Sequence, residues 1–131
     1  MNVAADRFKE ALGSVSYDAN LRFGLGLFFA ALNEPEKARA QWNKALALRK
    51  GSDPLERMEV VINKLALGTP GTVEEMRSII KERPPIGMMQ VVLDDVDSLV
   101  TFGIQLPASE EVRKMLAEAV EDSLKQPAQQ E

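Results

Sequence analysis

Residues 19–50, ANLRFGLGLFFAALNEPEKARAQWNKALALRK, decide the fold. They spell two amphipathic helices joined by a tight turn. In the first, Leu21, Phe23, Leu25, Leu27, Phe28, Phe29 and Leu32 lie nearly all round the cylinder, the pattern of a helix buried on more than one side. Gly24 and Gly26 sit inside it, each less favourable than Ala by about 1 kcal/mol. Close approach of another helix is the expected compensation. Asn33-Glu34-Pro35 forms the turn, because Asn tolerates the left-handed conformation that ends a helix and Pro suits the first turn of the next. The second helix, Glu36 to Arg49, should bury Ala38, Trp42, Ala45 and Leu46 and expose Lys37, Arg39, Gln41 and Lys44.

On the N-terminal side, Ala4, Phe8, Ala11 and Leu12 recur at helical spacing, which predicts an amphipathic helix over 3–12. Gly13 and the Ser-rich stretch after it should close that helix, and Asp18 is placed to cap the next one. On the C-terminal side, Gly51-Ser52 breaks the chain and Asp53-Pro54 starts a helix with Leu55, Met58, Val61, Ile62 and Leu65 as its stripe. Thr72 with Glu75 spells a capping box for a helix running to about Arg83, and Pro84-Pro85 ends it. Residues 87–103 read as a helix, although their β-branched content leaves a strand open. Pro107 and Ser109 introduce a last helix, with Ser109 as its cap and Val112, Leu116, Val120 and Leu124 as its stripe. The expectation is one all-α domain over 1–126, with about seven helices and a disordered tail at 127–131.

Bulk composition narrows the function classes. The 131-residue chain is 45% hydrophobic and 27% charged, ordinary for a soluble globular protein. Its net charge of −4 argues against nucleic-acid binding, which needs a basic footprint. The acidity is uneven: residues 1–83 carry 13 Lys/Arg and 11 Asp/Glu, residues 84–131 carry 3 and 9. With neither Cys nor His, the chain has no disulfide, no thiolate nucleophile, no Ser-His or Cys-His catalysis and no ordinary zinc site. The longest apolar run, Leu25 to Leu32, falls far short of the ~20 residues that span a bilayer. No membrane, no cofactor and a cytoplasmic location are the expectations.

An internal period sharpens the fold. Ala4, Phe8, Ala11 and Leu12 recur 34 residues later as Ala38, Trp42, Ala45 and Leu46. On these residues the chain resembles the tetratricopeptide repeat family, whose unit is a helix–turn–helix of that length. Leu25-Gly26 fits the family's Leu-Gly pair and Phe29 stands where the family usually has Tyr. Ala38 and Ala45 fit its small positions, and Trp42 its large aromatic one. Arg22 departs from the family's Trp, and Lys50 from its Pro. Agreement is clear over 19–50 and weaker over 3–18 and 53–84, where Met76, Ile79 and Pro84 keep the second-helix register. Residues 86–131 show none, and the helical hairpin at 86–126 would serve as a cap. The resemblance implies antiparallel hairpins stacked as a short right-handed superhelix.

It also implies a binding face. First helices of such units line the concave side, which here would carry Asn20, Phe23, Leu27, Ala30 and Ala31, then Arg57, Val61 and Lys64. Phe23 and Leu27 at its centre suit an amphipathic helix or hydrophobic peptide of a partner protein; equally, the C-terminal helices could cover them as core. The leading expectation is a non-enzymatic adaptor, scaffold or assembly factor. The alternative is a self-associating homo-oligomer, since the helix over 3–12 lacks a preceding partner. A remote third is a small enzyme or ligand sensor using Asp94 and Asp95, although Asp94, Asp95 and Asp97 read more simply as a solvated acidic face.

Overall fold

The computed structural model describes residues 14–101 and 107–125, and all six helices found there are α-helices with no strand among the described residues. They are α1 (Ser14–Ala31), α2 (Pro35–Leu48), α3 (Pro54–Ala66), α4 (Thr72–Lys81), α5 (Ile86–Thr101) and α6 (Pro107–Lys125). The helix expected over 3–12, which would make seven, lies outside the described residues, as does the tail at 127–131. Residues 87–101 belong to a helix, so the strand reading of that stretch falls away.

The quoted stretch folds as two helices with a tight turn. Asn33 takes φ 59° and the turn closes as a Schellman motif, Glu34 N–H donating to Phe29 O at 2.9 Å and Asn33 N–H to Ala30 O at 3.0 Å. Pro35 then opens α2. The α1/α2 crossing is tight because one side chain is missing. A Cβ on Gly26 would lie 2.2 Å from Trp42 Nε1, and the indole fills that space. Trp42 Nε1 donates to Phe23 O at 3.2 Å, and the two rings tilt at 40° with centroids 6.4 Å apart. Gly24 is different: a Cβ there would meet nothing within 4 Å, so no close approach compensates it.

The register of α2 repeats in α4. Ala38, Trp42 and Ala45 are buried, and so are Thr72, Met76 and Ile79, each 34 residues on. Consecutive helices pair as hairpins: α1 with α2, α3 with α4, α5 with α6. The hairpins join differently. The first meets the rest mainly where α2 packs on α3, whereas the second and third lie side by side, α3 on α5 and α4 on α6. One core runs through all of it, from Phe23 and Trp42 through Met58, Ile62 and Leu65 to Leu99 and Leu116.

Three expected caps give way to others. Helix α1 already includes Ser14, so Asp18 lies inside it. Gly71 at φ 86° sets the start of α4, which turns Thr72 inward as a buried first residue; the capping box does not form, and Glu75 reaches Lys64 instead. Helix α6 already includes Pro107, so Ser109 lies inside it, buried with no hydrogen-bond partner for its hydroxyl among the described residues. Asp53 does cap α3, accepting from Glu56 N–H at 2.8 Å.

Candidate functional site

Of the positions expected to line an open concave face, most are taken up inside the hairpins, while Asn20 and Ala31 are exposed. Phe23 is buried against Trp42, and Leu27 and Ala30 are half-buried against the core. On α3, Val61 is buried, Arg57 makes two 2.8 Å hydrogen bonds to Glu82, and Lys64 reaches Glu75 at 3.4 Å. Arg57 and Phe23 are 34 residues apart, as are Val61 and Leu27, and Lys64 and Ala30, so related positions do the same job in both hairpins. Phe23 and Val61 are thus core, closed to a partner while the hairpins stay shut. Asn20 is exposed and accepts a hydrogen bond from Arg49.

What α1 does expose lies opposite. Leu21, Phe28 and Leu32 are 53%, 58% and 53% exposed, and half-buried Leu25 completes a stripe at spacings of four, three and four. On a helix these share one face about 16 Å long. Phe28 stands edge-on to Phe29, whose ring also carries Lys37 Nζ 5.8 Å from its centroid. The same face of α3, 34 residues on, holds Leu55, Glu59, Ile62 and Ala66. There Glu59, Ile62 and Ala66 are buried by neighbouring helices and Leu55 is half-buried. The stripe on α1 is therefore a helix-packing face that stays more than half open at three of its four positions.

A second constellation was missed by pattern reading. Arg49 follows α2 with its side chain only 4% exposed. Its Nε donates to Asn63 Oδ1 at 2.9 Å, and its Nη1 donates to Asn20 Oδ1 at 3.1 Å and lies 3.6 Å from Glu59 Oε1. Asn63 Nδ2 donates onward to Trp42 O at 2.7 Å. Burial pushes the Glu59 carboxyl up to about 7, against the pull of Arg49 and with a further push from Asp95. Burial likewise raises Asp95, on α5, to about 6, while Arg49 opposes. Burial also lowers Arg49 from the ordinary guanidinium value. The acidic trio on α5 thus splits, with Asp94 and Asp97 exposed and Asp95 half-buried within electrostatic reach of Arg49. A signal was legible in the sequence: Glu59 and Asn63 interrupt the apolar side of α3. The arrangement ties α1, α2, α3 and α5 together, and the enclosed guanidinium offers no face to a substrate.

No family model matches the chain, nor does any curated protein or solved structure. The resemblance to the tetratricopeptide family rests on the chain's own sequence pattern. No group of three or more acidic side chains is arranged to hold a metal ion among the described residues, and no helix there is long and apolar enough to cross a membrane.

Proposed function

We propose that the protein is a non-catalytic protein–protein interaction module of tetratricopeptide type, an adaptor, scaffold or assembly factor. Its hairpins stack as a short right-handed superhelix, and the outer face of α1 buries an amphipathic helix from a partner protein. The observation that carries this reading is the open stripe of Leu21, Leu25, Phe28 and Leu32, whose counterpart on α3 is covered by helices. A helix is what the packing geometry accommodates at that place. Contiguous exposed apolar surface of this kind marks interaction sites in soluble proteins.

The test is a photo-reactive residue at position 28, irradiated in the cells that make the protein, with the adduct mapped by mass spectrometry. The expected adduct joins position 28 to an amphipathic helical segment of another protein. Phe28→Glu should abolish capture of that segment by the purified chain, with helical content unchanged and stability altered by only about 0.5 kcal/mol, as for exposed sites. Adducts confined to residues 1–13 of the same molecule would show the face to be internal. The same stripe supports the second reading, self-association. A concentration-dependent dimer in sedimentation, lost in Phe28→Glu, would put a second copy on this face in place of a partner.

A further inference from the structure

A different surface, at the far end of the molecule, has its own chemistry. Arg83 closes α4 in the left-handed conformation at φ 57°, and Pro84-Pro85 redirects the chain into α5. A proline sterically disfavours the right-handed helical region in the residue before it, so α4 does not continue through Arg83. Helix α6 runs on past this corner and leaves a groove of about 700 Å³ between them. Ile80, Ile86, Met89 and Met115 supply its apolar lining. Glu118 and Asp122 stand on the α6 side, four residues apart on one face, and Arg83 stands on the other.

Those two carboxylates differ from their neighbours on α6. Glu110 pairs with Arg113, Glu111 with Arg77 and Glu121 with Lys125. Glu118 and Asp122 are exposed and have no ion-pair partner among the described residues. We propose that this groove seats a basic, apolar-anchored segment of another protein, with Leu- or Met-type side chains against the half-buried Ile86 and Met115, above the buried Met89, and Lys or Arg against Glu118 and Asp122. Charge complementarity selects that occupant, since Glu118 and Asp122 against the single Arg83 leave the lining net negative. Thioether side chains repack around varied apolar anchors and suit such a floor. The chain's own residues 126–131, QPAQQE, hold neither a cation nor a large apolar side chain and do not fit. This site goes beyond the α1 face and shares no residue with it.

The full chain, methyl-labelled at its six Met, serves as its own reporter. The probe is a short synthetic Leu–Lys peptide with helical spacing, beside a Ser–Lys peptide of equal charge and a Leu–Glu peptide. The Leu–Lys peptide should shift the Met89 and Met115 methyl signals saturably, leaving those of the fully buried Met58 and Met76 in place. The other two peptides should leave all of them unmoved. Glu118→Gln with Asp122→Asn, both exposed and without an ion-pair partner among the described residues, should weaken binding by about tenfold at low salt. Phe28→Glu should leave it unchanged, which separates this site from the α1 face. Equal shifts with Ser–Lys, loss of binding in Phe28→Glu, or Met89 and Met115 shifts that follow the protein's own concentration would each overturn the proposal. The last outcome would place a second copy in the groove.

Discussion

The N-terminal hairpin and the four helices that follow it are built from different materials. Every aromatic side chain placed in the described core belongs to α1 and α2, where Phe23 and Trp42 pack against Gly26, Ala38 and Ala45. From α3 to α6 the core is aliphatic: Met58, Val61, Ile62 and Leu65 meet Met76, Val92, Leu99 and Leu116. The first region packs one large ring into gaps left by small residues. The second spreads burial over many medium ones. Exposure follows the same division, for α1 leaves three large apolar side chains open in one row, while α5 and α6 each leave a single one, Val91 and Leu124. A crossing that depends on one ring is cheap to disrupt at one point; a distributed core is not.

Removing that ring gives the largest expected effect. Trp42→Ala should cost about 3–5 kcal/mol through the cavity and the lost hydrogen bond to Phe23 O. Hydrogen exchange should show α1 and α2 losing protection while α3 to α6 keep theirs. Equal loss in all six helices would mean that the two regions form one cooperative unit, and the comparison would break.

The seam between the regions should respond to pH. Glu59 is raised from 4.5 to about 7 and Asp95 from 3.8 to about 6, both by burial. The native state therefore holds protons that the unfolded chain releases, so stability is greatest below pH 3.8 as far as these groups are concerned. It falls as pH rises toward 7, where both become ionised in the folded protein. Glu82 works in the opposite sense at lower pH, because hydrogen bonds from Arg57 hold its carboxyl below the usual range; that pair is exposed and screened. The melting temperature should drop by about 5 °C between pH 4.5 and pH 7, and Glu59→Gln should flatten the slope. An unchanged slope in that variant would remove Glu59 from the account.

The smallest effect compares two neighbours on α1. Gly24→Ala adds a methyl group that meets nothing within 4 Å, and should stabilise the hairpin by about 0.5–1 kcal/mol in a denaturant titration. Gly26→Ala drives the same methyl group into Trp42 and should destabilise it. Equal responses at the two positions would show that the crossing is looser than described.

The same contrast explains what pattern reading reached. Helix number and order over the described residues were legible, because Asn33, Asp53 and Pro84-Pro85 punctuate strongly and the apolar spacing between them is helical. The repeat was visible because aromatic and small residues make a specific signature; the aliphatic helices carry none. Caps were less legible. A Ser or Thr before an apolar run resembles an N-cap even where the helix already includes it, as at Thr72 after Gly71 and at Ser109 after Pro107, and both then turn inward. The choice of face on α1 also misled. A helix apolar all round has two apolar sides, and spacing alone did not say that Phe23 meets Trp42 while Phe28 stays open. Arg49 escaped notice because its partners come from three other helices.

The buried guanidinium has a bearing on how such units are exchanged. Repeat hairpins joined by apolar seams are close to interchangeable, since one methyl contact replaces another. At the junction of α2 with α3 that freedom is absent. Sliding α2 by one helical turn, about 5.4 Å, would carry Arg49 off Asn63 and leave Glu59 and Asp95 enclosed without their cation. A hairpin grafted in front of α3 must therefore bring a guanidinium to this level, or those two acids must stay protonated.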